Sequence, residues 1–108
     1  GGDFEALVAV LHPDVVLRAD YGGAPVPAGV STVLRGARTV AGRALMFSRY
    51  ARVARTASVN GRPGLVAFSD GQPVSVLGFT VSEGSIVEID ILADPERLRH
   101  LDLTMLDD

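Results

Sequence analysis

At 108 residues the chain is long enough for one domain, and a globule of that size removes roughly 60 to 70% of its unfolded surface from water. Hydrophobic residues make up 47% and charged residues 21%, which excludes a disordered tail, and no apolar run approaches the ~18 residues that cross a bilayer as a helix. The net charge of −3 is carried without Cys or Lys, so disulfides, thiolate nucleophiles, Cys-ligated zinc, lysine Schiff bases and a phosphate loop ending in Gly-Lys-Ser/Thr are all excluded.

All ten basic residues are Arg, and their placement is uneven. Between Tyr21 and Ser69 there is no acid, while Arg35, Arg38, Arg43, Arg49, Arg52, Arg55 and Arg62 make the middle basic and leave the ends acidic. The chain opens on Gly1-Gly2-Asp3-Phe4 without an initiator Met, which reads as a piece of something longer. A cytoplasmic setting is the default expectation.

Taken in chain order, residues 3–11 place Phe4, Leu7, Val8 and Leu11 at helical spacing behind Asp3 as a cap, and this helix is expected to end at His12-Pro13. Residues 14–20, "DVVLRAD", read as a short strand. A connection rich in Gly, Pro, Ala and Val follows from Gly22 to Gly29, and such a long apolar loop suits a contact surface better than a solvated link.

Over residues 36–54, Val40, Ala44, Phe47 and Ala51 fall within a sector of about 60° at 100° per residue. Arg35, Arg38, Arg49 and Arg52 lie on roughly the opposite side. The expectation is an amphipathic helix with an arginine face.

From Arg55 the period changes to two. Three two-residue turns, Asn60-Gly61, Asp70-Gly71 and Glu83-Gly84, separate four β-rich runs and predict an antiparallel meander. In the last run Val87, Ile89 and Ile91 face one way and Glu88 and Asp90 the other. A short helix is expected at residues 94–103, with Asp94 as cap and Pro95 at its first position. The fold class is therefore α+β, a curved antiparallel sheet wrapped around a long helix with short helices beside it.

The succession "FEALVAVLHPDVVLRADYGG", "VLRGARTVAGRALMF" and the run from Val59 to Leu103 resembles the SnoaL-like, NTF2-like domain fused to the C-terminus of actinobacterial extracytoplasmic-function sigma factors of the sigma-J type. The resemblance covers almost the whole chain, with residues 1–108 read as a single domain, and it implies an NTF2-like cone. Its most specific parts are that family's Asp-Gly-Gly-Gly-Lys loop, matched by Asp20-Tyr21-Gly22-Gly23-Ala24, and its terminal Asn-Pro-Asp-Lys-Leu, matched by Asp94-Pro95-Glu96-Arg97-Leu98. Tyr21 replaces a Gly and Ala24 replaces the Lys, so any contact of this loop is less electrostatic than in the family pattern.

The resemblance implies a regulatory domain that contacts the upstream sigma domains of its own chain and, through them, RNA polymerase and promoter DNA, with no cofactor. For the arginine face two readings stay open: docking of an acidic sigma segment, or a solvated face paired with acids from the chain ends. Direct nucleic-acid contact is not expected, because no aromatic residue interleaves these Arg as a stacking platform.

An enzymatic or ligand-binding alternative draws on the pockets of isomerases and cyclases of this architecture. Proton abstraction beside a carbonyl needs a carboxylate in apolar surroundings and a donor for the enolate oxygen. Asp20 or Asp90 are the candidate bases, and Tyr21, Tyr50 or His12 the candidate donors. None forms a spaced motif, and two distant His without Cys make a poor metal site. The isolated domain is a possible homodimer and a possible receptor for a small molecule.

Overall fold

Alternation of apolar and polar residues sets the six strands of the computed structural model, which describes residues 2–23, 32–50, 53–59 and 61–100, the side chains of 2, 47–50 and 53 excepted. The elements are α1 (Gly2–Val10), β1 (Leu11–Asp20), β2 (Val33–Arg35), α2 (Ala37–Tyr50), β3 (Val53–Val59), β4 (Arg62–Ser69), β5 (Gln72–Ser82), β6 (Ser85–Leu92) and α3 (Pro95–Leu98). The strands form one sheet in the order β2-β1-β6-β5-β4-β3. Among the described residues no helix is long and apolar enough to cross a membrane.

The meander from β3 to β6 is antiparallel throughout. Its turns follow from backbone sterics. Asp70 and Gly71 have φ of 52° and 77°, Glu83 and Gly84 have 52° and 83°, and these are the left-handed pairs that a two-residue hairpin needs to match the strand twist. Irregularities between Ala67 and Phe68 and between Thr80 and Val81 add local twist and curl the sheet.

Several boundaries differ from the sequence expectation. The first helix ends at Val10, and the strand that follows begins at Leu11 rather than at residue 14, passing through Pro13. Proline is tolerated there because the β1–β6 register shifts between Leu11 and Val16, so no ladder bond is required of it. β2 stands where the sequence reading places no element, and it pairs with β1 through Val16↔Arg35, Leu17↔Leu34 and Arg18↔Val33.

The long helix spans Ala37–Tyr50 and not residues 36–54, since Val53 and Ala54 pair with Phe68 and Ala67 in the sheet. One neighbouring pair, β1 and β6, runs parallel, a departure from an all-antiparallel sheet. Nothing local forbids it, because the chain between the two strands is far longer than a parallel crossover requires.

Two apolar clusters lie on opposite faces of the sheet. Leu11, Val15, Leu17, Val40, Ala41, Ile89 and Ile91 form the first, joining α2 to β1 and β6, with Phe4, Leu7 and Val8 of α1 packed against it. Ala57, Val66, Val76 and Leu98 form the second, with Leu92 against it. Ile91 and Leu92 are adjacent on one strand, so they point to opposite sides.

Val40 is fully buried against the sheet, as the helical spacing predicts. Phe47 and Ala51 lie outside the described side chains. Each fully buried side chain among Leu17, Val15, Val40 and Val66 contributes roughly 1.5–3 kcal/mol of transfer free energy.

Candidate functional site

The end of β1 and the start of α3 meet at one corner of the sheet. Ala93 N–H donates to the Asp20 carbonyl at 2.8 Å, continuing the parallel ladder one step past Asp20↔Leu92. The Asp20 side chain accepts from Gly22 N–H at 2.8 Å and from Arg97 Nη1 at 2.9 Å. The first bond is an Asx turn that starts the loop, and the second ties it to α3. Both partners of the ion pair are more than half exposed, at 54% and 61%, so its energy is small and its role is positional.

Gly22 has φ of +65°, and a Cβ there would overlap the Asp94 carboxylate. Only Gly satisfies both conditions. Asp94 in turn caps α3, accepting from Glu96 N–H at 3.0 Å, with Pro95 at the first helical position, as the sequence predicts. Leu98 anchors this short helix with 5% exposure. Arg99 pairs with Glu96 on the outer side.

The loop Asp20-Tyr21-Gly22-Gly23 and the segment Asp94-Pro95-Glu96-Arg97-Leu98 are thus one surface. An open groove of about 940 Å³ runs along it, with Gly23, Pro73, Val74, Ala93, Pro95 and Leu98 in its walls. Val74 is 42% exposed, apolar surface that a partner could remove from water. Tyr21 is half-buried, and Ala24 lies outside the described residues.

A second cleft, of about 490 Å³, opens on the face of the sheet that carries Leu98. Val59, Val76 and Leu92 supply its apolar walls, and Arg18, Arg62, Arg97, Asp20 and Asp90 its polar ones. Val59 folds over the sheet, its Cγ1 3.6 Å from where a Cβ at Gly78 would stand. Arg18 Nε lies 3.6 Å from the Glu88 carboxylate, and Arg62 Nη1 donates to Thr80 Oγ1 at 3.1 Å.

Asp90 is an exposed residue, but partial desolvation of its carboxyl against the cleft lifts it from the ordinary 3.8 to about 6, helped by a carboxyl contact with Glu88 and its like charge, and opposed by the guanidinium groups of Arg18 and Arg62.

Among the described residues the structure brings Asp20 and Asp90 into one cleft, without Tyr21 or His12 in its walls. His12 sits at the start of β1, where its Nδ1 accepts from Asp14 N–H at 2.9 Å. The Tyr50 side chain lies outside the described residues. Arg18, Arg62 and Glu88 were not singled out as site residues in the sequence. The signal for Arg18 and Glu88 is the polar alternation of β1 and β6 in the register Arg18↔Asp90, whereas Arg62 starts β4 and enters the cleft only through the pairing of β4 with its neighbours.

The expected arginine face is divided. Arg35 stands on the edge strand β2 and not on the helix. Arg38, on α2, pairs with Glu5 at 3.3 Å and lies over the Phe4 ring, 4.9 Å from its centroid. The Arg49 side chain and Arg52 lie outside the described residues. Among the described residues no cluster of His, Asp or Glu could hold a metal ion.

The chain is similar to the crystal structure of Mycobacterium tuberculosis extracytoplasmic function sigma factor SigJ, with a TM-score of 0.67 and 26% identity over 91% of this chain and 39% of that one. It is also similar to a steroid delta-isomerase from Pseudomonas aeruginosa (TM-score 0.60, 20% identity, 90% of this chain and 72% of that one). A third likeness is to an NTF-2-like protein from Burkholderia xenovorans LB400 (TM-score 0.57, 14% identity, 94% and 82%). No protein-family model and no curated protein matches the chain by sequence. The chain spans well under half the length of the sigma factor, and its curved six-stranded sheet with helices is the NTF2-like cone.

Proposed function

We propose that residues 1–108 are a regulatory domain of an extracytoplasmic-function sigma factor that tunes transcription in cis by contacting sigma domains upstream in the same chain. The observation that carries this reading is the joint at Asp20, where the loop and the terminal motif behind the sigma-J resemblance are held together by the Arg97 ion pair. The likeness to SigJ, at 39% of that chain, supports it. The joint presents a corner beside an apolar groove, so the partner is held mainly by surface removed from water, with Ala24 in place of the family's Lys.

Regulation then works by differential affinity. A contact made in only one arrangement of the sigma domains shifts the population toward that arrangement. RNA polymerase and promoter DNA are reached through those domains, and Arg38, already engaged by Glu5 and Phe4, is given no role in binding nucleic acid.

A second reading, catalysis by proton abstraction, is favoured by Asp90 alone, whose carboxyl is held at about 6 beside apolar walls. Neither Tyr nor His lines that cleft among the described residues. Turnover of a carbonyl substrate that Asp90→Asn abolishes would establish it.

The regulatory reading is tested by placing a photo-crosslinking amino acid at Gly23 in the full-length chain, where a side chain meets nothing within 4 Å. A crosslink to sigma segments within the same chain is expected. Crosslinks only between copies, or none in a folded protein, would overturn it.

A further inference from the structure

We propose that the cleft between β1, β6 and the curled end of β3 is a binding site for a small amphipathic carboxylate, whose charged end meets Arg62 and whose apolar body lies on Val59, Val76 and Leu92. The inference goes beyond the regulatory reading and stands whether or not the corner at Asp20 contacts sigma domains.

Three guanidinium groups reach this cleft, and two of them are committed. Arg97 is engaged by Asp20 at 2.9 Å, and Arg18 lies 3.6 Å from Glu88. Among the described residues Arg62 hydrogen-bonds only the neutral Thr80 hydroxyl, at 3.1 Å. A guanidinium has five N–H donors in a planar fork that fits a carboxylate in two-point contact, so Arg62 retains the capacity and geometry for an anion.

Asp90 faces the same space and would repel an anion if fully charged. Its carboxyl is held at about 6 by burial and by Glu88, against Arg18 and Arg62, so below about pH 6 it keeps a proton to donate and the repulsion is relieved.

The apolar half follows from the backbone. Gly64 and Gly78 are cross-strand partners on β4 and β5; the Val59 side chain occupies the space over Gly64, and the missing Cβ at Gly78 leaves a trough beside it that opens into the cleft. About 490 Å³ is within the range that holds a small organic molecule, and it is too large for a bound ion alone.

The test follows backbone amides of Gly78, Asp90 and Leu92 by NMR while octanoate, acetate or octan-1-ol is added to the protein. Octanoate is expected to give saturable shifts at those positions, whereas acetate, without the apolar body, and octan-1-ol, without the charge, are expected to bind at least tenfold more weakly. Arg62→Gln should weaken octanoate binding tenfold or more, and Arg99→Gln, outside the cleft, should not. Gly78→Val fills the trough and gives an independent check on a variant that keeps every charge.

Octanoate shifts that do not saturate by about 10 mM would overturn the proposal. So would equal binding of octan-1-ol, or octanoate binding that both Arg62→Gln and Gly78→Val leave unchanged.

Discussion

Asp20 and Arg97, 77 residues apart in the chain, meet at 2.9 Å across the corner where β1 ends and α3 begins. The same carboxylate receives Gly22 N–H, so one side chain starts the loop turn and fastens it to the helix. Replacing either partner by Ala should cost little in stability, and a double-mutant cycle in urea is expected to give a coupling of about 0.2–1 kcal/mol because both groups are well exposed. A coupling near zero would show that the pair does not hold the corner.

Gly22 and Gly23 should respond differently to substitution. Gly22→Ala meets both a left-handed backbone and the Asp94 carboxylate, and is expected to lose about 1–3 kcal/mol in chemical denaturation. Gly23→Ala meets open space and is expected to stay within about 0.5 kcal/mol of the parent. Equal effects would contradict the packing of Gly22 on the α3 cap.

Removing the cap itself should loosen α3. Asp94→Ala is expected to cost about 1 kcal/mol, and Asp94→Asn much less, since Asn caps as well. Hydrogen exchange at Leu98 N–H, which donates to the Asp94 carbonyl at 2.9 Å, reads the local loosening directly.

The core on the helix side is tested by Leu17→Ala. Leu17 is fully buried between α2 and the sheet, and its truncation is expected to cost about 2–5 kcal/mol. A loss below 1 kcal/mol on the same scale would place α2 elsewhere.

Asp90 gives stability a pH dependence of defined sign. The folded chain holds this proton up to about 6 while the ordinary value is 3.8, so between these values the folded state binds more protons and stability falls as pH rises, levelling above about 6. Asp90→Asn should remove that fall. Because the group is largely exposed, solvent screening leaves a gain of roughly 1–2 °C in Tm at pH 7.5 and none at pH 3.5. A larger gain at pH 3.5 than at 7.5 would reverse the assignment.

The legible parts of the fold are those with a local physical signature. Asp70-Gly71 and Glu83-Gly84 announce their hairpins because few other pairs accept φ above zero twice in succession. Asp94-Pro95 announces α3 because a cap and a missing N–H are both local requirements. β2 is three residues long and shows no period, and the parallel β1–β6 pair leaves no sign in either strand alone.

The helix expectation ran into Val53 and Ala54, whose composition continues the amphipathic run while pairing with Phe68 and Ala67 makes them strand. For the site, the loop and the terminal motif were readable as separate stretches, but their contact was not. Asp20 and Asp90 were visible as candidates, whereas Arg18 and Arg62 join them only through strand register, which the sequence does not display.

Single-round transcription by the full-length chain carrying Gly22→Val, compared with Gly23→Val, tests the regulatory role most directly. Gly22→Val breaks the Asp20–Asp94 corner and is expected to change promoter output several-fold while the Leu17 core stays folded by near-UV circular dichroism, with Gly23→Val changing output through the exposed loop alone and by less. Output identical to the parent for Gly22→Val, in a protein shown to be folded, would contradict a role for this corner in controlling the sigma domains.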